Sequence, residues 1–490
     1  MLRGGLALGA AGLAGHASGT ARRQTDPIAN QDQAGATDQS LSVLHERPAT
    51  ADRRFRSPAI EDTIAHVKSQ IADPQLATIF ENCLPNTLDT TVSPGIFEGK
   101  PDTFVITGDI DAMWLRDSSA QVWPYLPFCK DDPRLADLIE GVIRRQTRCI
   151  ALDPYANAFL RNPNDAPLSW SVHDDTDMKP GVGERKWEID SLCYTTRLAY
   201  GYWKTTSSTR PFDAAWKQSA QLIVKTFREQ QRKNGHGPYH FQRASPIPTD
   251  TLMLSGYGSP AMPVGMIYSM FRPSDDACIY PLFVPANLFA VVSLRRLAIM
   301  VGKIYHDAAF AQECETLAAE IGEAIARHGK VQHREFGQMW AYEVDGYGGL
   351  ALMDDANAPS LASLTYLECA DKNDPLFKTS RRFALSKSNP YFFAGSAAEG
   401  IGGPHQGLDY IWPMSIMFRA FSSMSDAETL QCLRWLRNTT AGTNFMHESF
   451  HKDDATKYTR PWFAWANGLF GELILHIYQT SPSLLKQSLS

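Results

Sequence analysis

Apolar residues recur at spacings of three and four along most of the chain, which predicts a mainly helical protein. One apolar stripe consists of Leu288, Val291, Leu294, Ala298 and Val301, and the next of Phe310, Cys314, Leu317, Ile321 and Ile325. Because only residues 302–307 separate them, we expect an antiparallel helical hairpin. Further helices are predicted at residues 134–148, 191–206, 213–233, 360–370, 409–423, 426–438 and 462–479.

The loops between these predicted helices hold most of the Asp, Trp, Gly and Pro clusters. Helical hairpins whose connecting loops gather functional residues at one end are typical of an α/α toroid, a ring of inner and outer helices. A small β insertion is predicted near residues 331–353. Since no repeat or linker divides the ordered part, we predict a single all-α domain over residues 58–482.

The N-terminal region differs from the rest. Arg3 precedes a small-residue apolar run at 4–17, which is typical of a signal peptide, so we expect residues 1–19 to direct export to a secreted or periplasmic location. Residues 20–57 are polar without apolar periodicity and predict a flexible leader. No later segment has the ~20 uninterrupted apolar residues of a membrane span, so none is expected.

Composition narrows the function classes. The 490 residues are 43% hydrophobic and 20% charged, which suffices for a large core. The formal net charge is −6 and long Lys/Arg runs are absent, so a nucleic-acid partner is not expected. The eight cysteines are scattered without a CxxC pair, which gives no indication of a zinc or redox site.

Residues 109–117 combine three aspartates with an arginine and an indole. Sugar sites use an aromatic face beneath the ring and charged groups around its hydroxyls. We therefore interpret this segment as the floor of a carbohydrate pocket, with Asp111, Trp114, Arg116 and Asp117 as candidate contacts. A core tryptophan beside a surface ion pair is the alternative.

A second cluster lies at residues 272–276, where Asp275 and Asp276 follow Arg272 closely. Two adjacent carboxyls beside an arginine can include one acid whose pKa is set by its neighbours, as a proton donor requires. Helix capping by Ser and Asp remains open as a simpler explanation. Asp190, just before another predicted helix, could add to the site together with Trp187, and helix capping is again the alternative.

The segment at residues 447–451 formally matches the H-E-x-x-H zinc signature, with Glu448 between His447 and His451. Its flanks do not sustain an amphipathic helix, and Asp454 replaces the glycine of the longer metzincin pattern. We therefore expect no metal, and favour Glu448 as a general base for water.

Two more segments resemble pocket walls. Residues 391–405 are too glycine-rich for a helix, lack the order of a dinucleotide-binding loop, and end at His405, a possible hydroxyl partner. Residues 458–467 contain Arg460 and two tryptophans at a predicted helix start. The alternative is a flexible loop for residues 391–405 and core packing of the two tryptophans for residues 458–467.

Six segments in this order are similar to those of glycoside hydrolase family 125: TGDIDAMWLRDSSAQVWPYL, KWEIDSLCY, FRPSDDA, FAGSAAEGIGGPH, IWPMSIMFRA and HESFHKDDATKYTRPWFAWAN. The resemblance covers residues from about 107 to 467. It implies an (α/α)6 toroid with small β insertions and an exo-acting α-1,6-mannosidase that hydrolyses terminal non-reducing mannose. It also implies inversion and a metal-independent mechanism without cofactor.

The resemblance assigns the general acid to Asp275, with Asp276 as second candidate, and the general base to Glu448. Inversion requires the two carboxyls about 6.5–9.5 Å apart with a water between them, so we expect both in one cavity. The candidates for binding the terminal mannose are Asp111, Trp114, Arg116, Asp117, Asp190, Arg272, Asp276, His405, His447 and Arg460. A toroid glycosidase of other specificity and an inactive glycan-binding protein remain alternatives.

Overall fold

Thirteen α-helices and fifteen short strands form within residues 46–489, the part of the chain that this computed structural model describes. The helices are α1 Pro58–Lys68, α2 Pro74–Cys83, α3 Asn86–Thr90, α4 Leu115–Val122, α5 Pro133–Leu152, α6 Ile189–Thr206, α7 Ala214–Gln230, α8 Val284–Ile304, α9 Ala308–His328, α10 Pro375–Ala384, α11 Pro413–Phe421, α12 Asp426–Asn438 and α13 Ala464–Thr480.

The strands are short and antiparallel and are inserted between the helices. They are β1 Val92–Phe97, β2 Lys100–Val105, β3 Met113–Trp114, β4 Ala158–Phe159, β5 Val182–Glu184, β6 Leu282–Phe283, β7 Lys330–His333, β8 Gly337–Trp340, β9 Glu343–Val344, β10 Leu350–Ala351, β11 Phe392–Ala394, β12 Glu399–Ile401, β13 Tyr410–Ile411, β14 Ser449–His451 and β15 Asp454–Thr459. They form the sheets β1-β2, β3-β4-β5, β10-β9-β6, β7-β8, β11-β12 and β13-β14-β15.

The helices are arranged in two layers, as an (α/α)6 toroid requires. The inner layer runs α4–α6–α8 on one side and α11–α13–α4 on the other, each helix packing on the next. The outer layer consists of α2, α5, α7, α9, α10 and α12. Helices α8 and α9 form the predicted antiparallel hairpin, and β7 to β10 fall in the predicted β insertion.

The predicted helix at residues 360–370 is wrong, because this segment is a buried series of turns. Side chains compete there for the backbone: the Asp354 carboxylate accepts hydrogen bonds from the N–H groups of Leu361 and Ala362, and Ser360 pairs with Ser363. The turns nevertheless occupy the sixth inner position. They lie between α8, which they reach through an ion pair, and α11, which they contact through ring packing.

Helix α8 is apolar and long enough to cross a membrane, but most of it is buried among α6, α7 and α9. A core helix of a globular domain meets the same criteria of length and hydropathy. All eight cysteines are unpaired, and seven of them are buried.

Residues 46–57, at the end of the predicted leader, pack on the domain. Arg47 forms ion pairs of 2.8 Å with Asp89 and 2.7 Å with Glu61, and Phe55 is buried. The ordered part therefore begins at least twelve residues before Pro58. The expected signal peptide and residues 20–45 of the leader lie outside the described residues.

Candidate active site

A cavity of about 530 Å³ opens at the N-terminal ends of the inner helices. Three of these helices begin after an aromatic residue that lines the cavity: Trp114 before α4, Trp412 before α11 and Phe463 before α13. The positive ends of the helix dipoles therefore lie at the cavity, where they stabilise carboxylates. The volume lies within the range of about 300–1,000 Å³ that is usual for small-molecule sites.

Nine of the twelve site residues predicted from the sequence line this one cavity. They are Asp111, Trp114, Arg116, Asp117, Asp275, Asp276, His405, Glu448 and Arg460. The two expected catalytic carboxyls, 173 positions apart in the sequence, are thus brought to one space. Residues 109–117 contribute through the loop before β3 and the first turn of α4.

The other three predicted residues, Asp190, Arg272 and His447, do not line the cavity. Asp190 is fully buried, with Oδ2 3.4 Å from Arg116 Nη1. Arg272 points away and donates to Glu343 at 2.6 Å. The His447 ring stacks on Tyr458 with 3.7 Å between centroids. Each is thus held by another side chain of the protein.

The H-E-x-x-H segment is extended and not helical. Ser449–His451 forms β14, which pairs with β13 and β15. Extended backbone rises about 3.3 Å per residue and so spaces residues i and i+4 roughly 13 Å apart, which is too far for His447 and His451 to form the i, i+4 pair of a helical zinc site. Burial lowers the pKa of His447 to about 4, although backbone hydrogen bonds oppose the shift.

Asp275 lies in a tight turn that the isolated bridge between Phe271 and Ala277 closes. Its backbone has φ +65°, the left-handed region, which aspartate tolerates better than most residues. Its N–H donates to the Arg272 carbonyl at 2.9 Å, and its own carbonyl accepts from Lys186 Nζ at 2.9 Å. The backbone contacts fix the direction of the Asp275 side chain.

The Asp275 carboxyl is about three-quarters buried. Its Oδ1 accepts a hydrogen bond from Asn157 Nδ2 at 3.2 Å and lies 3.4 Å from Arg116 Nη2. Burial alone would raise the pKa of Asp275, but the charge of Arg116 and contact with the Glu188 carboxyl outweigh it and lower the pKa. The pKa of Glu188 itself is raised, chiefly by burial.

Glu448 lies just before β14 and is held by three neighbours. Its Oε2 accepts hydrogen bonds from Gln406 Nε2 at 2.5 Å and Thr459 Oγ1 at 3.0 Å. Its Oε1 lies 3.4 Å from Nη1 of Arg460, which is itself fixed by Asp109. These contacts keep the carboxylate in one orientation and leave Oε1 only weakly engaged.

Asp276 and His405 form a separate pair in the same wall. The Asp276 Oδ1 lies 3.6 Å from His405 Nδ1, and its Oδ2 accepts from Ser274 at 3.1 Å. Burial alone would lower the pKa of His405, but Asp276, together with the charges of Glu448 and Asp275, raises it to about 9. His405 is therefore a cation in reach of both expected catalytic carboxyls.

The sequence interpretation missed the wall beside Asp275, which is a network of buried charges. Arg243 lies 2.9 Å from Glu184 and 3.0 Å from Asp250, and Lys186 lies 2.7 Å from Asp250. Lys186 belongs to the KWEID segment, and its position next to Trp187 could have marked it as a candidate site residue. Arg243 and Asp250 lie in a stretch without periodicity or motif, so no local pattern marks them.

Indole N–H groups remain available inside the cavity. Within residues 46–489, the Nε1 atoms of Trp114, Trp412 and Trp465 are buried without a hydrogen-bond acceptor. Buried donors normally find a partner, so these three are suited to hydroxyl oxygens of a bound molecule or to water. Apolar rings beside polar edges are the usual surface for a sugar.

Comparison with known proteins gives concordant results. A family model described as metal-independent alpha-mannosidase (GH125) matches residues 73–475. The meiotically up-regulated gene 157 protein of Schizosaccharomyces pombe is 43% identical over 467 residues, which are 92% of this chain and 91% of that protein. A solved metal-independent α-mannosidase of Streptococcus pneumoniae, in a non-productive complex with α-1,6-mannobiose, matches with a TM-score of 0.83 and 38% identity over 87% of this chain and 100% of that one.

Proposed function

We propose that this chain, which belongs to the metal-independent α-mannosidases of glycoside hydrolase family 125, removes single terminal mannose units from α-1,6-linked mannosides with inversion. Membership makes it a glycoside hydrolase acting on α-mannosides. The linkage, the exo action and the stereochemistry are our proposal. The α-1,6-mannobiose bound by the Streptococcus pneumoniae enzyme supports the linkage.

The observation that carries the proposal is the presence of Asp275 and Glu448 in one cavity with different environments. Asp275 is partly exposed and touches a second carboxyl, so it has access to a proton. Glu448 accepts hydrogen bonds from Gln406 and Thr459, which orient its carboxyl. Two carboxyls with separate roles are what glycoside hydrolysis requires.

In the proposed single displacement, Asp275 protonates the departing glycosidic oxygen while the C1–O bond breaks. Glu448 takes a proton from a water that attacks C1 from the opposite face. Asp117, Arg116 and His405 line the cavity with the two carboxyls and supply charged partners for sugar hydroxyls. Trp114 and Trp412 supply aromatic surface and N–H donors.

Exo action is supported by the packing around Trp465, which lines the cavity at the start of the inner helix α13. Its indole is 1% exposed, and its ring centroid lies 6.0 Å from that of Tyr194 on the inner helix α6. The Arg116 guanidinium lies 5.9 Å from the same ring. A sugar chain that enters this cavity therefore meets packed side chains beyond the first units.

The test uses α-1,6-, α-1,2- and α-1,3-linked mannobiose together with glucose-containing disaccharides. We expect free mannose from the α-1,6 compound, with β-mannose as the first anomer seen by NMR. Release from another linkage alone would make the protein a toroid glycosidase of different specificity. α-Mannose as the first product would refute inversion, and binding without hydrolysis would identify a glycan-binding protein.

A further inference from the structure

Glu188 lies directly behind Asp275, immediately before α6, and has no exposed surface. Arg116 bridges the two residues: its Nη1 lies 2.5 Å from Glu188 Oε2 and its Nη2 lies 3.4 Å from Asp275 Oδ1. Ser191 Oγ donates a second hydrogen bond to Oε2 at 2.9 Å. One oxygen of Glu188 is therefore fully satisfied by protein donors.

The second oxygen of the Glu188 carboxyl, Oε1, has no such donor within the described part of the chain. Among residues 46–489, no N–H or O–H group donates to the buried Oε1 of Glu188. The Glu188 carboxyl instead contacts the carboxyl of Asp275 as a hydrogen-bonding partner. Two carboxyls in contact cannot both be ionised without strong repulsion, and a single proton between them satisfies both oxygens.

We propose that Glu188 is a positioning residue that shares one proton with Asp275 and returns that proton to Asp275 for transfer to the glycosidic oxygen. The inference rests on the proposed function, since it concerns the same reaction. A lone Asp275 beside Arg116 is mostly ionised at neutral pH and is a poor donor. The Glu188 carboxyl keeps a proton within reach of Asp275.

The charges around the pair determine where the proton resides. The groups that act on one or both carboxyls are Arg116, Lys186, His405, Asp117 and Asp190. Burial acts to raise the pKa of both carboxyls, but the charges of Arg116, Lys186 and His405 help to lower the pKa of Asp275, whereas the pKa of Glu188 remains raised. In the free enzyme the proton is therefore held by Glu188, and Asp275 carries the negative charge.

In the proposed reaction one proton passes from the Glu188 carboxyl to the Asp275 carboxyl and then to the glycosidic oxygen. The C1–O bond breaks and its electron pair goes to the glycosidic oxygen, which takes the proton of Asp275. Asp275 receives that proton from Glu188, so both carboxyls become ionised beside Arg116. The attacking water forms the new C1–O bond and loses a proton to Glu448. Solvent exchange then returns one proton from Glu448 to the pair.

The test is Glu188→Gln, assayed with α-1,6-mannobiose and with 2,4-dinitrophenyl α-mannoside, whose leaving group needs no protonation. We expect kcat on mannobiose to fall about 100-fold, within the usual contribution of acid catalysis, and kcat on the aryl mannoside to change less than about 5-fold. The alkaline limb of the mannobiose profile should move to lower pH, because the proton that the pair retains through Glu188 must then be held by Asp275 alone.

Glu140→Gln is the matched control, since Glu140 is a buried, Arg-paired carboxylate on α5, outside the cavity. This variant should leave kcat on both substrates and the pH profile unchanged. Equal losses on both substrates in Glu188→Gln, with an unchanged profile, would overturn the proposal in favour of a purely structural role. If Glu188→Gln does not fold, Glu188→Asp withdraws the carboxyl from Asp275 and should give the same pattern more weakly.

A second measurement does not depend on turnover. Infrared difference spectra of wild type minus Glu188→Gln at about pH 7 should show the C=O stretch of a protonated carboxyl. Its absence would contradict the shared proton even in an active enzyme. Wild type that cleaves no mannoside would instead refute the proposed function, whatever the infrared result.

Discussion

Gln406 donates a hydrogen bond of 2.5 Å to Oε2 of Glu448. Thr459 donates to the same oxygen at 3.0 Å, so Oε2 is committed to protein partners and Oε1 remains to accept a proton. Gln406 sits in the turn between β12 and β13, and Thr459 ends β15. The base is thus oriented by two separate segments, which explains how a residue outside any helix keeps a defined direction.

Glu448→Gln should remove turnover and preserve the fold. The amide keeps the shape of the side chain but cannot take a proton from water, so kcat on α-1,6-mannobiose should fall by about 10²–10⁴. Glu399→Gln is a suitable control, because Glu399 lies on β12 outside the cavity wall. Equal activity of wild type and Glu448→Gln would exclude Glu448 as the base.

Leaving-group dependence should identify the acid. Asp275→Asn is expected to lose about 100-fold or more on mannobiose and much less on 2,4-dinitrophenyl α-mannoside, since only the former needs a proton. Asp276→Asn removes a partner of His405 and should lower activity on both substrates by a similar factor. The opposite pattern, with selective loss in Asp276→Asn, would move the acid to Asp276.

Much of this site could be predicted because aromatic and charged residues cluster locally in sequence. Residues 109–117 and the segment around Glu448 each place several wall residues within one loop, so their patterns were sufficient. Arg272 in the cluster at residues 272–276 and His447 beside Glu448 nevertheless point into the protein. Residue type and spacing do not encode which side of a loop a side chain takes.

The missed features depend on contacts between distant segments. Arg243 and Glu184 meet across 59 positions, and Gln406 and Glu448 across 42. Periodicity also failed at residues 360–370, where apolar spacing is helical but the Asp354 carboxylate captures two backbone N–H groups. Tertiary hydrogen bonds there override a local preference.

Chelation should not reduce activity. The proposed mechanism uses carboxyls only, and the H-E-x-x-H segment is extended, which spaces its two histidines too far apart for the helical zinc motif. Dialysis against EDTA followed by assay on α-1,6-mannobiose should give unchanged kcat, with added zinc restoring nothing. Loss of activity that zinc recovers would contradict the carboxyl-only mechanism.

The start of the ordered domain can be tested by truncation. A chain beginning at residue 58 lacks Arg47 and leaves Asp89, whose side chain is 1% exposed, without its ion pair. Removing one partner of a buried pair typically costs about 3–5 kcal/mol. Urea unfolding should therefore show a clear loss relative to a chain beginning at residue 46. Equal stability of the two chains would show that residues 46–57 contribute nothing.

The pair of His405 and Asp276 should make stability depend on pH. The pKa of His405 is raised from 6.5 to about 9 on folding, so its contribution is complete below about pH 6.5 and is lost as pH rises through about 9. At about pH 6, His405→Gln should lower the free energy of unfolding by about 1–3 kcal/mol more than at about pH 10. The measurement is urea unfolding of both proteins across this range. His240→Gln, at a surface pair with Asp175, is the matched control. A difference for His405→Gln that stays constant with pH would mean that folding does not raise the pKa of His405.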